Sequence, residues 1–173
     1  QWQEAHANLL LEEGNEVYVE DMNFKGLQKR SKKTEKNKDW KYKRKKRFGK
    51  SIGTRAPSQF LSILKRKLGY TGGTYQEVNT RTFKASQYDH ISDTYRKKKL
   101  SRRHNTINGE WVQRDLYSAF LLMNSDDTLE HTDRNRCFQN YSKFKTMHDQ
   151  CMTEILQSEK HIPSSFGIHK TAA

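Results

Sequence analysis

An α/β fold is what this sequence predicts, on three observations. Residues 17–20 and 75–80 have the short, alternating character of strands, other segments repeat apolar residues at helical spacing, and a polar stretch carries the turn signal Asn108-Gly109. At residues 2–13, Trp2, Ala5, Leu9 and Leu10 fall near one helical face, and Gly14-Asn15 offers a left-handed stop. The strand at 17–20 follows. Residues 25–55 hold fifteen Lys or Arg against two acids, with no regular apolar period, and read as a loop or lid. Pro57 suits the first turn of a helix bearing Phe60, Leu61, Leu64 and Leu68, closed by Gly69 and Gly72-Gly73. Residues 89–111, which include RKKKLSRR, read as a hairpin or extended insertion. A helix resumes at Asp115 with the stripe Leu116, Ala119, Phe120 and Met123. The last helix, over 133–159, is expected to bury Phe138, Tyr141, Phe144, Met147, Cys151 and Ile155. The tail after Pro163 is expected to fray, and the chain shows no repeat, heptad array or phosphate-binding glycine loop.

Composition narrows the partners. A chain of 173 residues fits one domain or part of a larger one. Residues 1–13 read as the middle of a helix with neither an initiating Met nor an N-cap, which suggests a fragment. The hydrophobic share is only 32% and the mean hydropathy is −1.11, so part of the surface is expected to stay solvated or to cover another molecule. A net charge of +13 favours a polyphosphate partner, nucleic acid first, over acidic metabolites. No apolar run approaches the roughly 20 residues that span a bilayer, and no signal peptide is visible; the expectation is a soluble, cytoplasmic protein of a prokaryotic cell. The two cysteines, Cys137 and Cys151, share one expected helix, so buried thiols are the reading rather than a disulfide framework or a four-cysteine zinc site.

The stretch EVYVEDMNFKG raises the functional question. A strand that ends in Glu20 and Asp21 needs solvent, a cation or a metal at its end, because an unpaired buried carboxylate is costly. A second acid, Asp115 in VQRDLYSAFLLMN, stands where a helix begins. There it could simply complement the helix dipole, as Glu20 could simply be an exposed edge acid paired with a lysine.

The segment VYVEDMNFKGL, a basic lid, FLSILKRKLGYTGGTYQEVNTRTFKASQ and QRDLYSAFLLMN, in that order, resemble the C-terminal half of the transposon-encoded TnpB (OrfB) proteins. These are RNA-guided DNA nucleases related to type V CRISPR effectors. The resemblance covers residues 2–124 and implies part of an RNase H-like (RuvC) fold. Residues 1–24, 56–88 and 112–132 would be RuvC-like parts, 25–55 the basic lid, 89–111 the insertion at the zinc-ribbon position, and 133–173 a C-terminal helix and tail. It gives Glu20 the role of second catalytic acid and Asp115 that of third, both as ligands of two Mg²⁺ ions, whose hard-oxygen preference suits carboxylates. Guide RNA and target DNA are the implied partners.

The sequence departs from the family twice. The family's first catalytic Asp lies on an earlier strand, and none precedes the helix at 2–13, so the N-terminal half of the same protein or a second chain is expected to supply it. At the zinc-ribbon position, KASQYDHISDTYRKKKLSRRHNTINGEW has no cysteine. His90 and His104 alone make a poor zinc site, and zinc is not expected; the insertion is instead expected to hold its shape by packing Tyr88, Tyr95 and Trp111. Phosphate contacts are expected from Lys25, Lys29, Arg30, Lys32, Lys33, Lys41, Lys43, Arg44, Lys45, Lys46, Arg47 and Lys50 in the lid, and from Arg96, Lys97, Lys98, Lys99, Arg102, Arg103 and Arg114 beyond it. A flexible, solvated charge run is the alternative. Trp40, Tyr42 and Phe48 either stack on unpaired bases or anchor the lid. The function expected first is an RNA-guided, Mg²⁺-dependent DNA endonuclease; the alternatives are a nuclease-dead, RNA-guided DNA-binding protein and a basic RNA-binding structural protein.

Overall fold

The computed structural model describes residues 1–29, 34–43, 48–99, 101–158 and 160–168. The expectations on Arg30, Lys32, Lys33, Arg44, Lys45, Lys46 and Arg47 therefore lie outside the described residues. The chain is mixed α/β and divides into two compact units, residues 1–17 with 21–76 and residues 18–20 with 77–173. Two strands, β1 (Glu16–Glu20) and β2 (Thr74–Val78), hydrogen-bond as a two-stranded sheet. Each gives residues to both units.

In the first unit, α1 (Trp2–Glu13) packs on α4 (Pro57–Thr71), burying Ala7, Leu64 and Leu68 with Leu11, Val17, Phe60, Ile63 and Tyr75 around them. The apolar face expected of α1 is not the one used: Trp2, Ala5, Leu9 and Leu10 are exposed. Apolar residues surround this helix, so periodicity could not choose a side. Packing chooses the row Glu4, Ala7 and Leu11, where a small residue permits close approach and Glu4 pairs with Arg66 at 2.8 Å and Lys67 at 2.9 Å. Nor does α1 stop in a left-handed turn. Gly14 has φ 174°, extended backbone that leads straight into β1, and Thr74 N–H donates to Asn15 O (2.8 Å) to join the two strand starts.

The basic segment is more ordered than a loop. It contains α2 (Phe24–Gln28) and α3 (Phe48–Arg55), which pack together; a side chain at Gly49 would meet Gln28 O at 2.6 Å, so only glycine permits that approach. Asn23 caps α2 by accepting from Gly26 N–H (2.7 Å). Between the helices a β-bridge joins Lys36 to Tyr42. The sparse apolar residues of this segment could not show a period through so many cations.

The second unit has one core: Val78, Phe83, Ala85, Tyr88, Ile107, Val112, Tyr117, Phe120, Leu121, Leu122 and Cys137, with Tyr18, Ile91, Leu129, Tyr141 and Phe144 packed against it. After the short α5 (Thr80–Phe83) come two hairpins. In the first, β3 (Tyr88–Asp89) pairs antiparallel with β4 (Thr94–Tyr95), and the Tyr88 and Tyr95 rings lie 4.8 Å apart. In the second, β5 (His104–Ile107) pairs antiparallel with β6 (Glu110–Gln113) in the register His104 with Gln113. Asn108 and Gly109, at φ 51° and 80°, form its two-residue turn, the geometry this dipeptide favours. Two long elements complete the unit, α6 (Arg114–Met123) and α7 (Arg134–Gln157). A 3₁₀ turn, Ser164–Phe166, follows in the tail that was expected to fray.

The buried sides of both helices are rotated from the expected stripes. On α6 the core takes Tyr117, Phe120, Leu121 and Leu122 while Met123 is exposed. On α7 Tyr141 and Phe144 pack against the core as expected, but the fully buried residues are Cys137, His148 and Met152, and Phe138 and Met147 face solvent. A histidine with its ring nitrogens occupied is cheap to bury, and a reading that ranks residues by apolarity passes over it. Cys137 is buried as expected, and burial pushes its thiol up to about 12; Cys151 is only half-buried.

Candidate acidic site and basic surfaces

Both expected acids belong to the second unit. Glu20 is the last residue of β1, whose Tyr18 packs on the unit's core. Asp115 stands in the first turn of α6, with a side chain 62% exposed. They come together: Glu20 is held above the usual carboxylate range by burial and then by the nearby charge of Asp115. The Asp115 charge reaches Glu20 strongly enough to add to the effect of burial.

The start of α6 is built to hold Asp115 there. Strand β6 runs directly into the helix, and Gln113 at the junction caps it, its Oε1 accepting from Leu116 N–H at 2.8 Å. The Gln113 N–H donates to Nε2 of buried His148 at 3.0 Å, and Nδ1 of His148 meets Asp149 Oδ1 at 2.9 Å. Asp149 is held below the usual carboxylate range by Lys145 first and then by His148. With Nε2 accepting, the ring proton sits on Nδ1 and points to Asp149, which fixes the tautomer. Sequence reasoning missed His148; the signal was there, because 137, 141, 144, 148 and 152 form one face of a helix. Arg114 lies beside the acid, its Nε 3.6 Å from Asp115 Oδ1. Its Nη1 donates to Arg102 O at 3.0 Å, so this guanidinium braces the Arg102 backbone rather than standing free.

Two carboxylates are a donor set of the kind a hard divalent cation takes. Two adjacent carboxylates repel each other until a cation separates them, and Mg²⁺ is commonly held by one or two carboxylates with water and phosphate completing its shell. It does not by itself fit two ions: among the described residues no group of three or more His, Cys, Asp or Glu is gathered to hold a metal. His90 and His104 are engaged elsewhere. His90 is buried with Nδ1 2.7 Å from Tyr117 Oη. Burial lowers its pKa and raises that of Tyr117, so the phenol donates to a neutral ring. The His90 Nε2–H then has no hydrogen-bond acceptor and sits among Phe120, Phe138 and Tyr141, ring centroids 5.0–5.9 Å away. His104 stacks on Trp111 at 6.0 Å.

Most of the described cations are exposed in both units. In the first, Lys25, Lys29, Lys41, Lys43 and Lys50 are exposed, and Lys43 pairs with Glu35 at 3.3 Å. In the second, Arg96, Lys97, Lys99 and Arg102 are exposed, and Lys98 and Arg103 are half-buried. Lys98 is held below the usual lysine range by burial and by Arg102, partly offset by Asp89. Among the described residues no helix is long and apolar enough to cross a membrane. No family model, no curated protein and no solved structure matches the chain.

Proposed function

We propose that this chain is the C-terminal, RuvC-like portion of an RNA-guided, Mg²⁺-dependent DNA endonuclease, resembling the TnpB proteins. One observation carries the reading: acids 95 residues apart, Glu20 at a strand end and Asp115 at a helix start, meet closely enough to repel. A cation held between the two acids would offset that repulsion. The succession of β1, helices, β2 and α6 has the order of the resembling segments, and the exposed cations suit a phosphate backbone.

In this reading Glu20 and Asp115 would hold the cation from two sides, Glu20 giving up its proton as the cation enters. When bound, Mg²⁺ supplies positive charge at the scissile phosphate and polarises the attacking water. Gln113 and the His148–Asp149 pair keep the start of α6, and hence Asp115, in place. Lysines and arginines bind backbone phosphates without reading sequence, which is left to the guide.

A second reading, RNA-guided binding without cleavage, draws on the finding that the described residues gather two acids rather than three. Nicking of labelled plasmid by the protein with its copurified RNA separates the two. Metal-dependent nicking that Glu20→Gln and Asp115→Asn each abolish, with DNA binding retained, is the expected result. Nicking undiminished in either variant removes the assignment.

A further inference from the structure

The segment around Trp40 is a built hairpin whose two rings, Trp40 and Tyr42, are largely exposed. Lys43 N–H donates to Glu35 O and Asn37 N–H to Lys41 O, each at 2.8 Å. Asn37 Oδ1 accepts from the N–H groups of Asp39 (3.1 Å) and Lys41 (2.9 Å), closing the tip. Trp40 sits there in the left-handed region, φ 59°, a conformation a bulky residue seldom adopts. Trp40 is 79% exposed and Tyr42 70%. Lys36 Nζ lies 5.2 Å from the Trp40 ring centre and 5.1 Å from that of Tyr42, so one ammonium organises both rings while their remaining surface stays open.

We infer that this hairpin is a stacking platform for unpaired bases of a single-stranded nucleic acid. Charge selects the occupant. Residues 34–43 carry four lysines against two acids, and the sequence on either side, RSKK and RKKR, adds seven cations. A segment of that sign draws a polyanion and repels basic partners. The rings narrow the choice further, because a duplex hides its base faces whereas an unpaired strand presents them, and stacking accepts any base. Lys38 and Lys41, both exposed on the same hairpin, are placed for the phosphates that follow the stacked bases. The inference goes beyond the nuclease reading and does not depend on the acidic pair.

The test measures binding of the full chain by fluorescence anisotropy, in EDTA and at fixed salt. The probes are a labelled single-stranded DNA 12-mer, the same length of RNA, an abasic 12-mer of equal charge, and a duplex. Replacing both rings (Trp40→Ala with Tyr42→Ala) should weaken binding of the based single strands about tenfold or more. Binding of the abasic strand and the duplex should stay unchanged, and Trp40→Phe with Tyr42→Phe should retain most of the affinity. The DNA and RNA arms show which strand is held more tightly; stacking on either supports the site. Equal affinity of the double-alanine and parent proteins for based strands overturns the inference, as does an equal loss on abasic and duplex probes. EDTA keeps the outcome separate from metal chemistry, so failure here leaves the nuclease reading standing, and the reverse.

Discussion

Glu20 carries an electrostatic cost in the fold. Burial and the Asp115 charge raise its pKa in the folded state, so the fold binds its proton more tightly than the unfolded chain does. That proton favours folding fully below the unfolded-state pKa, and the contribution is lost as pH rises through the folded value. At neutral pH the ionised side chain is a net cost. Glu20→Gln should therefore raise the melting temperature at pH 7, by about 2 °C, and the gain should vanish near pH 4. Thermal denaturation at the two values in the absence of divalent metal checks the sign; a variant less stable than the parent at pH 7 would show that Glu20 has a stabilising partner. At this scale the two candidate acids were legible, through the resembling segments that put one at a strand end and the other at a helix start. The support was not, because nothing near Gln113 in the chain announces that its N–H will meet a histidine 35 residues away.

Elements record the same division. The Asn108-Gly109 turn and the start of α6 at its acid follow from local chemistry, and local chemistry is what a sequence displays. Which side of a helix is buried depends on its neighbour. Helix α1 turns Ala7 and Leu11 inward where α4 offers Leu64 and Leu68, and α7 turns His148 inward where its Nε2 accepts from the Gln113 N–H. The basic segment hid two helices behind its charge. The junction of β6 and α6 is where the supporting contacts converge, so His148→Ala, which leaves a buried N–H unpaired beside a cavity, should destabilise the protein by about 2 kcal/mol or more. Hydrogen exchange at residues 113–116 should accelerate with it. Unchanged exchange there would mean that the cap from Gln113 suffices to hold the acid in place.

At the scale of the whole molecule, net charge decides more than any single contact. A chain at +13 whose described cations are largely exposed should bind nucleic acid with a steep salt dependence, losing about a thousandfold in affinity between roughly 50 and 200 mM salt if six phosphates are neutralised. Affinity that stays flat over that range would mean that the cations do not contact the backbone. In the proposed reading, charge would attract the strand, aromatic rings would distinguish paired from unpaired bases, and the acids would determine whether the protein cuts.

The claim on which this rests is that Glu20 and Asp115 take up one divalent cation between them. Calorimetric titration of the full chain with Mg²⁺ or Mn²⁺, for the parent, Glu20→Gln, Asp115→Asn and the double variant, tests it most directly. Shared ligation predicts that each single variant loses at least about tenfold in affinity and that the double variant loses little more, since either change already breaks the pair. The same metal affinity in all four proteins would contradict it.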